Sequence, residues 1–339
     1  MPALVLGRME ASPPSIDDIR RAAERIRPEA IRTPLLSSPM LDELLGGRVF
    51  LKCETLQRTG SFKFRGAFNA IAAMTGVKRA KGIVAVSSGN HAQGVAEAAR
   101  LFGLRSIIVM PADAPATKLE RTRRSGAHVI AYDRALENRE KVAARILATE
   151  GGTLVHPYND PSVIAGQGTV GLEIVADAAA AGIVPDAVLV PCSGGGLLAG
   201  IGVAIKSALP ATEMIAVEPA GFDDYGRSLI AGAIVRNERA AGSVCDSLLA
   251  EAPGEIGFAL NRQNVGAAVA VDDDEALAAV AYAFRELKLV AEPGGAIALG
   301  ALLSGRFKAR GRTVVVVLSG GNIDEDTLAA ALATPARSR

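Results

Sequence analysis

Residues Ala187–Leu197 read AVLVPCSGGGL, and LLAGIGVAI runs on from Leu197. Ala187 to Pro191 are apolar without alternation, which marks a strand buried on both faces, as in a parallel sheet. The glycines that follow let the chain turn, and an apolar helix begins directly after them. The same pattern recurs on both sides. Ile83 to Ser87 is a short apolar run followed by a helix to about Phe102, and Met214 to Val217 and Thr313 to Leu318 (TVVVVL) are further buried strands. Arg48 to Cys53 and Ser106 to Met110 read as strands, the second leading into a Lys- and Arg-rich helix to Arg124. Val129 to Tyr132 is a strand, and Leu136 to Thr149 the helix after it. Strands alternating with helical segments build βαβ units, so the chain is an α/β protein with mostly parallel sheets. Ser15, with Asp18 three residues on, caps a first helix ahead of this alternation. No repeat, Gly/Ser linker or low-complexity tract divides the chain, so two domains would be interleaved rather than strung in series.

The composition narrows the function. With 339 residues the chain is long enough for one large or two medium domains. Lys and Arg total 37 against 36 acids, which argues against a nucleic-acid or membrane-surface binder working by bulk charge. There is no Trp, and only four Tyr and nine Phe, so a stacking platform for single strands is not expected. No run of about 20 purely apolar residues is seen, so no membrane span is expected. The N-terminal MPALVLGRMEASPPS lacks a basic region before its apolar run and reads as a loose leader rather than a signal peptide. Cys53, Cys192 and Cys245 are odd in number and far apart, giving neither a disulfide framework nor a CxxC, so a reducing cytoplasm is the expected location.

Four clusters fall at strand ends, where open α/β sheets place their ligands. In Ser61-Phe62-Lys63-Phe64-Arg65-Gly66 a lysine stands between two aromatic residues. Lysine is ordinarily solvated, but a desolvated one has a lowered pKa and becomes a usable nucleophile or base. Ser87-Ser88-Gly89-Asn90-His91 opens a helix. It suits a carboxylate cradle and equally an ordinary capped helix start. Ser193-Gly194-Gly195-Gly196-Leu197 lets backbone approach a phosphate with a helix dipole behind it, although one glycine would serve a plain turn. Ser319-Gly320-Gly321-Asn322 places a hydroxyl at a strand end, where it either partners a ring nitrogen or simply closes a loop. An amine, a carboxylate cradle, a phosphate cradle and a hydroxyl are together the set that pyridoxal phosphate requires.

At this point the chain resembles the serine/threonine dehydratase and serine racemase family, fold-type II pyridoxal-phosphate enzymes of the tryptophan synthase β superfamily. The resemblance runs from about Ile16 to Leu332 and rests on SFKFRGA, SSGNHAQG, VIAGQGTVGLEI from Val163, SGGGL and LSGGNID, in the family's order. It implies a tryptophan-synthase-β-like fold of two domains: residues 1–81 and 160–339 form the larger cofactor-binding domain, 82–159 a smaller inserted α/β domain, and the active site lies in the cleft. It implies that Lys63 is covalently linked to the cofactor, that Gly194, Gly195, Gly196 and Leu197 hold the phosphate, that Asn90 meets the ring hydroxyl, that Phe62 packs on the ring and that Ser319 faces the pyridine nitrogen. A hydroxyl partner does not keep that nitrogen protonated as a carboxylate would, so the electron sink is weaker and suits prompt loss of a β-substituent. Ser87, Ser88, Gly89, Asn90 and His91 would receive the substrate, with Ser88 on its opposite face as a second acid/base able to support racemisation.

Glu218, Phe222 and Asp224 in VEPAGFDD offer two carboxylates and a main-chain carbonyl, hard oxygens that suit Mg²⁺ or Ca²⁺ or make a solvated acidic turn. Family members place a cation at these spacings. His91, His128 and His156 are not spaced as a zinc site. Arg139 matches the position where serine racemase-like members aim an Arg at the active site, one turn into its helix, and could receive a second carboxylate. Tyr158 in HPYND stands where the mammalian racemase type has Asn.

The expected reaction is β-elimination from a 3-hydroxy amino acid such as L-threonine or L-serine, giving a 2-oxo acid and ammonia. A 3-hydroxyaspartate dehydratase, a serine racemase and a hydroxyectoine-utilisation dehydratase are alternatives within the family. A β-replacement synthase is a further one, and the intact Lys63 argues against a non-catalytic binding protein. The partners expected are a small amino-acid substrate and further copies of the chain, as a dimer or tetramer. With the sheet closing near Leu318, no C-terminal regulatory domain is expected.

Overall fold

A computed structural model describes residues 12–114, 116–133 and 136–334; most of the N-terminal leader, residues 1–11, lies outside them. Among the described residues ten strands form two sheets. They are β1 (Leu35–Ser37), β2 (Arg48–Cys53), β3 (Ile83–Val86), β4 (Ser106–Pro111), β5 (His128–Tyr132), β6 (Thr153–Leu154), β7 (Ala187–Pro191), β8 (Glu213–Pro219), β9 (Val265–Val271) and β10 (Thr313–Leu318). The larger sheet has the order β1-β2-β10-β7-β8-β9 and the smaller β5-β4-β3-β6. Every pairing is parallel except that of β1 with β2.

Strand β10 shows why its sequence is apolar throughout. It lies between β2 and β7, with Val316 in register with Leu51 on one side and Leu189 on the other. Val314, Val316 and Leu318 face one core, shared with the helix Pro293–Leu303. Val315 and Val317 face the other, shared with the helices Pro161–Ala180 and Gly196–Ala208. A strand covered by helices on both faces has no position left for a polar residue.

The smaller sheet is also covered on both faces. Val84, Ile107 and Val109 pack against Val142 and Ile146 of the helix Arg139–Thr149. Ile83, Ala85, Ile108 and Met110 pack against the helix Asn90–Leu101 and against Phe64, Phe68 and Ile71 of the helix Lys63–Ala73. The helix that begins at Lys63 is thus built into the core of the smaller sheet, while the residue before it is bonded to the larger one, Phe62 N–H donating to the Ser319 carbonyl at 3.1 Å.

The helix Pro161–Ala180 bears on the expectation that no membrane span is present. It has 20 residues and is long and apolar enough to cross a membrane by length and composition. Its apolar character is explained by burial: its neighbours are the helices Gly196–Ala208, Lys63–Ala73 and Ile16–Ile26. A methyl on Gly200 would meet the Gly168 nitrogen at 2.5 Å, so these two helices cross backbone to backbone. Its charges are paired too. Glu173 meets Lys52 at 2.7 Å and Arg65 at 2.7 Å, and Asp177 meets Lys52 at 3.2 Å. The first helix, Ile16–Ile26, starts on the expected capping box between Ser15 and Asp18.

Candidate active site

A cleft of about 400 Å³ opens where the two sheets meet at the carboxyl ends of β3, β7 and β10. Lys63 lies in it as the first residue of its helix. Its Nζ donates to the Pro157 carbonyl at 2.8 Å and sits 5.1 Å from the centre of the Phe62 ring. Burial lowers its pKa to about 8, and the nearby charge of Glu292 pulls the other way. The sequence argument for a desolvated amine is met by this geometry.

The turn after β3 brings Ser87, Ser88, Gly89, Asn90 and His91 into the cleft. Ser87 Oγ accepts from Gly89 N–H at 3.2 Å, which tightens the turn before the helix Asn90–Leu101. Asn90 donates through Nδ2 to Glu292 Oε1 at 2.5 Å, and its Oδ1 accepts from Asn322 Nδ2 at 2.8 Å. His91 Nε2 lies 2.9 Å from the Val155 carbonyl. A carbonyl only accepts, so Nε2 carries the proton and Nδ1 is an acceptor. That Nδ1 is buried and has no hydrogen-bond partner among the described residues. Burial, then the charge of Lys63, pushes the His91 pKa down to about 3.

The glycine turn after β7 contributes Gly194, Gly195, Gly196 and Leu197 to the opposite wall. Gly195 has φ +82°, a left-handed conformation that favours glycine, and a methyl there would run into the Tyr225 ring. One on Gly194 would run into the Tyr158 ring. The glycines therefore meet a packing need as well as leaving backbone exposed to a ligand. The first N–H groups of the helix Gly196–Ala208 have no intrahelical acceptor and form a ready anion site. Ser319, at the end of β10, completes this side.

Among the lining residues outside the predicted set are Glu292, His156 and Tyr158. Glu292 is 5 % exposed and stands directly before Pro293 at the start of an otherwise apolar helix; that isolated acid was the available signal. His156 Nδ1 accepts from Asn159 N–H at 2.9 Å and Tyr158 N–H at 3.3 Å, and burial lowers its pKa to about 4. Tyr158, noted in the sequence only as a departure from the mammalian pattern, lies edge-on to His156 at 4.7 Å. Burial raises the phenol's pKa, so it stays protonated at neutral pH.

Arg139 lines the mouth of the cleft and is solvent-exposed there. Its placement in the helix differs from expectation. Asn138 Oδ1 accepts from Glu140 and Lys141 N–H, each at 3.0 Å, and this cap makes Arg139 the first helical residue rather than one a full turn in.

Glu218, Phe222 and Asp224 lie outside the cleft, at the end of β8 and the start of the helix Asp224–Ala231. Glu218 and Asp224 are 1 % and 0 % exposed, so this is not a solvated acidic turn. Glu218 accepts from Tyr225 and Gly226 N–H at 2.8 Å each, and Asp224 Oδ1 from Asn237 at 2.7 Å. Asp224 Oδ2 is buried with no hydrogen-bond partner among the described residues. Burial lifts the pKa of Glu218 to about 8 and that of Asp224 to about 6. Among the described residues no group of three or more His, Cys, Asp or Glu side chains is gathered as a metal site.

An amine tuned by burial, facing a glycine-bounded helix start across a cleft between two parallel sheets, defines an α/β enzyme that works through a phosphorylated carbonyl cofactor. The chain belongs to the pyridoxal-phosphate dependent enzyme family, whose profile matches residues 26–320. It is 42 % identical to the L-threonine ammonia-lyase of Thermotoga maritima, over 91 % of this chain and 76 % of that one. It is 41 % identical to the L-threo-3-hydroxyaspartate ammonia-lyase of a Pseudomonas species, over 94 % and 98 %. The structure of maize serine racemase superposes with a TM-score of 0.88 at 39 % identity, covering 94 % of this chain and 97 % of that one. The fold is that of the fold-type II enzymes.

Proposed function

We propose that this enzyme catalyses β-elimination from a 3-hydroxy amino acid, L-threonine or L-serine first, releasing a 2-oxo acid and ammonia. The observation that carries the reading is the Lys63 amine, lowered to about 8 and held 2.8 Å from the Pro157 carbonyl inside the cleft. When bound, pyridoxal phosphate supplies the electron sink that acidifies the substrate Cα–H. The glycine turn and the unpartnered His91 Nδ1 fit such a polar group. In this assignment Gly194, Gly195, Gly196 and Leu197 hold the phosphate, Asn90 and Ser319 meet the ring's polar atoms, and Phe62 packs on its face.

Lys63 takes the Cα proton, a step its partly neutral amine can perform near neutral pH. The turn Ser87–His91 holds the α-carboxylate at the start of its helix, where main-chain N–H groups and the helix dipole favour an anion. Ser88 stands on the other face as a second acid/base. Loss of water leaves an enamine, and hydrolysis of that species returns water and frees ammonia, so the atoms balance.

A second reading, 3-hydroxyaspartate as substrate, is favoured by Arg139 at the mouth, since a guanidinium pairs two-pronged with a carboxylate. Measuring 2-oxo acid release over L-serine, L-threonine and the 3-hydroxyaspartate isomers, with wild type and Arg139→Ala, tests both. Under the first reading the variant acts weakly and alike on all substrates. Under the second it cuts kcat/KM for one hydroxyaspartate isomer by about 30- to 150-fold more than for serine. Release from none of them would sink the elimination reading, and a new thioether or thiol product on adding sulfide would favour a β-replacement synthase.

The domain division 82–159 against the rest, a homo-oligomer, a cytoplasmic location and a cation belong to the same proposal. Strands β3 to β6, all between 83 and 154, support the first, exposed Leu36, Met40 and Leu44 the second and three buried free cysteines the third. The cation would take Glu218, Asp224 and the Phe222 carbonyl; the unpartnered Asp224 Oδ2 supports it, and Mg²⁺ or Ca²⁺ suits such oxygens.

A further inference from the structure

Asn322 closes the SGGN turn and stands outside the residues that line the cleft. Its Nδ2 donates both to the Thr59 carbonyl at 2.7 Å and to Asn90 Oδ1 at 2.8 Å. A carboxamide oxygen cannot donate to a carbonyl, so these two bonds fix which way the Asn322 amide points. Its Oδ1 in turn accepts from Arg121 at 3.4 Å. With its Oδ1 held by Asn322, Asn90 must present its NH₂ to the Glu292 carboxylate, as it does at 2.5 Å. An amide carries two N–H groups, and Glu292 engages one of them. Asn322 donates to both sides, to Thr59 and to Asn90, and Asn90 donates on to Glu292, so each amide admits one orientation.

Its far end is strained. Thr59 has φ +65°, a conformation a non-glycine residue adopts only where its surroundings enforce it. Asn322 holds the carbonyl of that turn, and Gly321 N–H donates to Gly60 at 2.8 Å beside it. Three residues further on is Lys63. One side chain thus ties the approach to the lysine to the Asn90 amide in the same cleft.

We infer that Asn322 and Glu292 are positioning residues that lock the Asn90 carboxamide so that one N–H is left for a ligand in the cleft. This deepens the reading given above and rests on it for the identity of that ligand. The effect on chemistry runs through Asn90: a flipped amide would present an acceptor, not a donor, to the ring hydroxyl. It belongs to kcat and to the bound cofactor's spectrum more than to substrate affinity.

The experiment is a double-mutant cycle on the holoenzyme with near-isosteric changes. Asn322→Asp replaces both donors by acceptors, Glu292→Gln lets the Asn90 amide turn, and Asn90→Ala is the reference. Asn322→Asp is expected to lower kcat about tenfold or more with KM changed less than about threefold, the size of a lost buried hydrogen-bond network. The pH midpoint of the bound cofactor's visible absorbance should shift in both single variants. Added to Asn90→Ala, Asn322→Asp should have no further effect, while Glu292→Gln should keep only the effect of its charge on Lys63. Asn322→Ser, which keeps one donor, should fall between wild type and Asn322→Asp and serves if the latter does not fold. Multiplying effects in the Asn322→Asp, Asn90→Ala double variant, or a wild-type kcat and spectrum in Asn322→Asp, would overturn the inference. A wild-type protein that gains no visible absorbance with pyridoxal phosphate would instead overturn the functional reading and this one together.

Discussion

Lys63 Nζ donates to the main-chain carbonyl of Pro157 at 2.8 Å, across 94 residues of chain. The carbonyl parks the amine without supplying a charge, so the amine's protonation is left to burial and to Glu292. Burial dominates and lowers the pKa to about 8, while Glu292 raises it.

The apoprotein should therefore react with pyridoxal phosphate faster as pH rises, with a half-maximal rate constant near pH 8, where the neutral amine becomes the major form. Glu292→Gln removes the opposing charge, so its midpoint should lie lower. Stopped-flow absorbance across pH 6–11 measures both; a wild-type midpoint above 10 would mean that the amine is not desolvated.

Gly195→Ala should destabilise the protein by about 2–4 kcal/mol, because the residue keeps a left-handed φ and the methyl meets the Tyr225 ring. Tyr225 cannot yield easily, since its hydroxyl accepts from Asn261 at 2.7 Å. Urea unfolding gives the loss, and cofactor titration should show weakened binding alongside it. Unchanged stability would show that the turn has room to spare.

The buried strands were legible because each carries one physical signature. Ala187–Pro191 and Thr313–Leu318 are apolar where both faces are covered, and the strands occupy those residues. Strand β9, VGAAVAV from Val265, was not legible: it is a part-exposed edge rich in Gly and Ala, residues that do not favour a strand by themselves. At the site, residues in glycine- or serine-rich strand-end motifs could be picked out. Glu292, His156 and Asn322 could not be assigned, because their roles come from partners 200 or more residues away, as for Glu292 with Asn90 (202 residues), or from local bonds such as His156 to Asn159 that leave no pattern. The start of the Arg139 helix was misplaced because the side chain of Asn138, and not apolar periodicity, decides it.

Arg65→Met should cost about 3–5 kcal/mol, since removing one partner leaves buried carboxylates unpaired. Arg65 makes two-pronged contacts with Glu54, at 2.8 and 2.8 Å, and with Glu173, at 2.7 and 2.9 Å. Arg65→Lys keeps the charge but loses the fork and should cost less. Chemical denaturation of both decides; equal stability of Arg65→Met and wild type would show that the network contributes nothing net.

Chelation should lower the melting temperature if a cation rests on Glu218 and Asp224, because a ligand bound only to the folded state stabilises it by mass action. Mg²⁺ or Ca²⁺ should restore it, and Asp224→Asn should remove the response. The same melting curve in excess chelator, with no metal by elemental analysis, would remove the cation from the account.

Above all, we propose that the Lys63 amine performs the proton transfer in a cofactor-dependent elimination. The direct measurement is ammonia and 2-oxo acid release from the substrate that wild type uses best, by wild type and by Lys63→Ala, both incubated with pyridoxal phosphate and both shown to be folded. Lys63→Ala is expected to lose at least about a thousandfold in kcat, toward the upper end of what a positioned proton-transfer group contributes. Release by Lys63→Ala at the wild-type rate would contradict it.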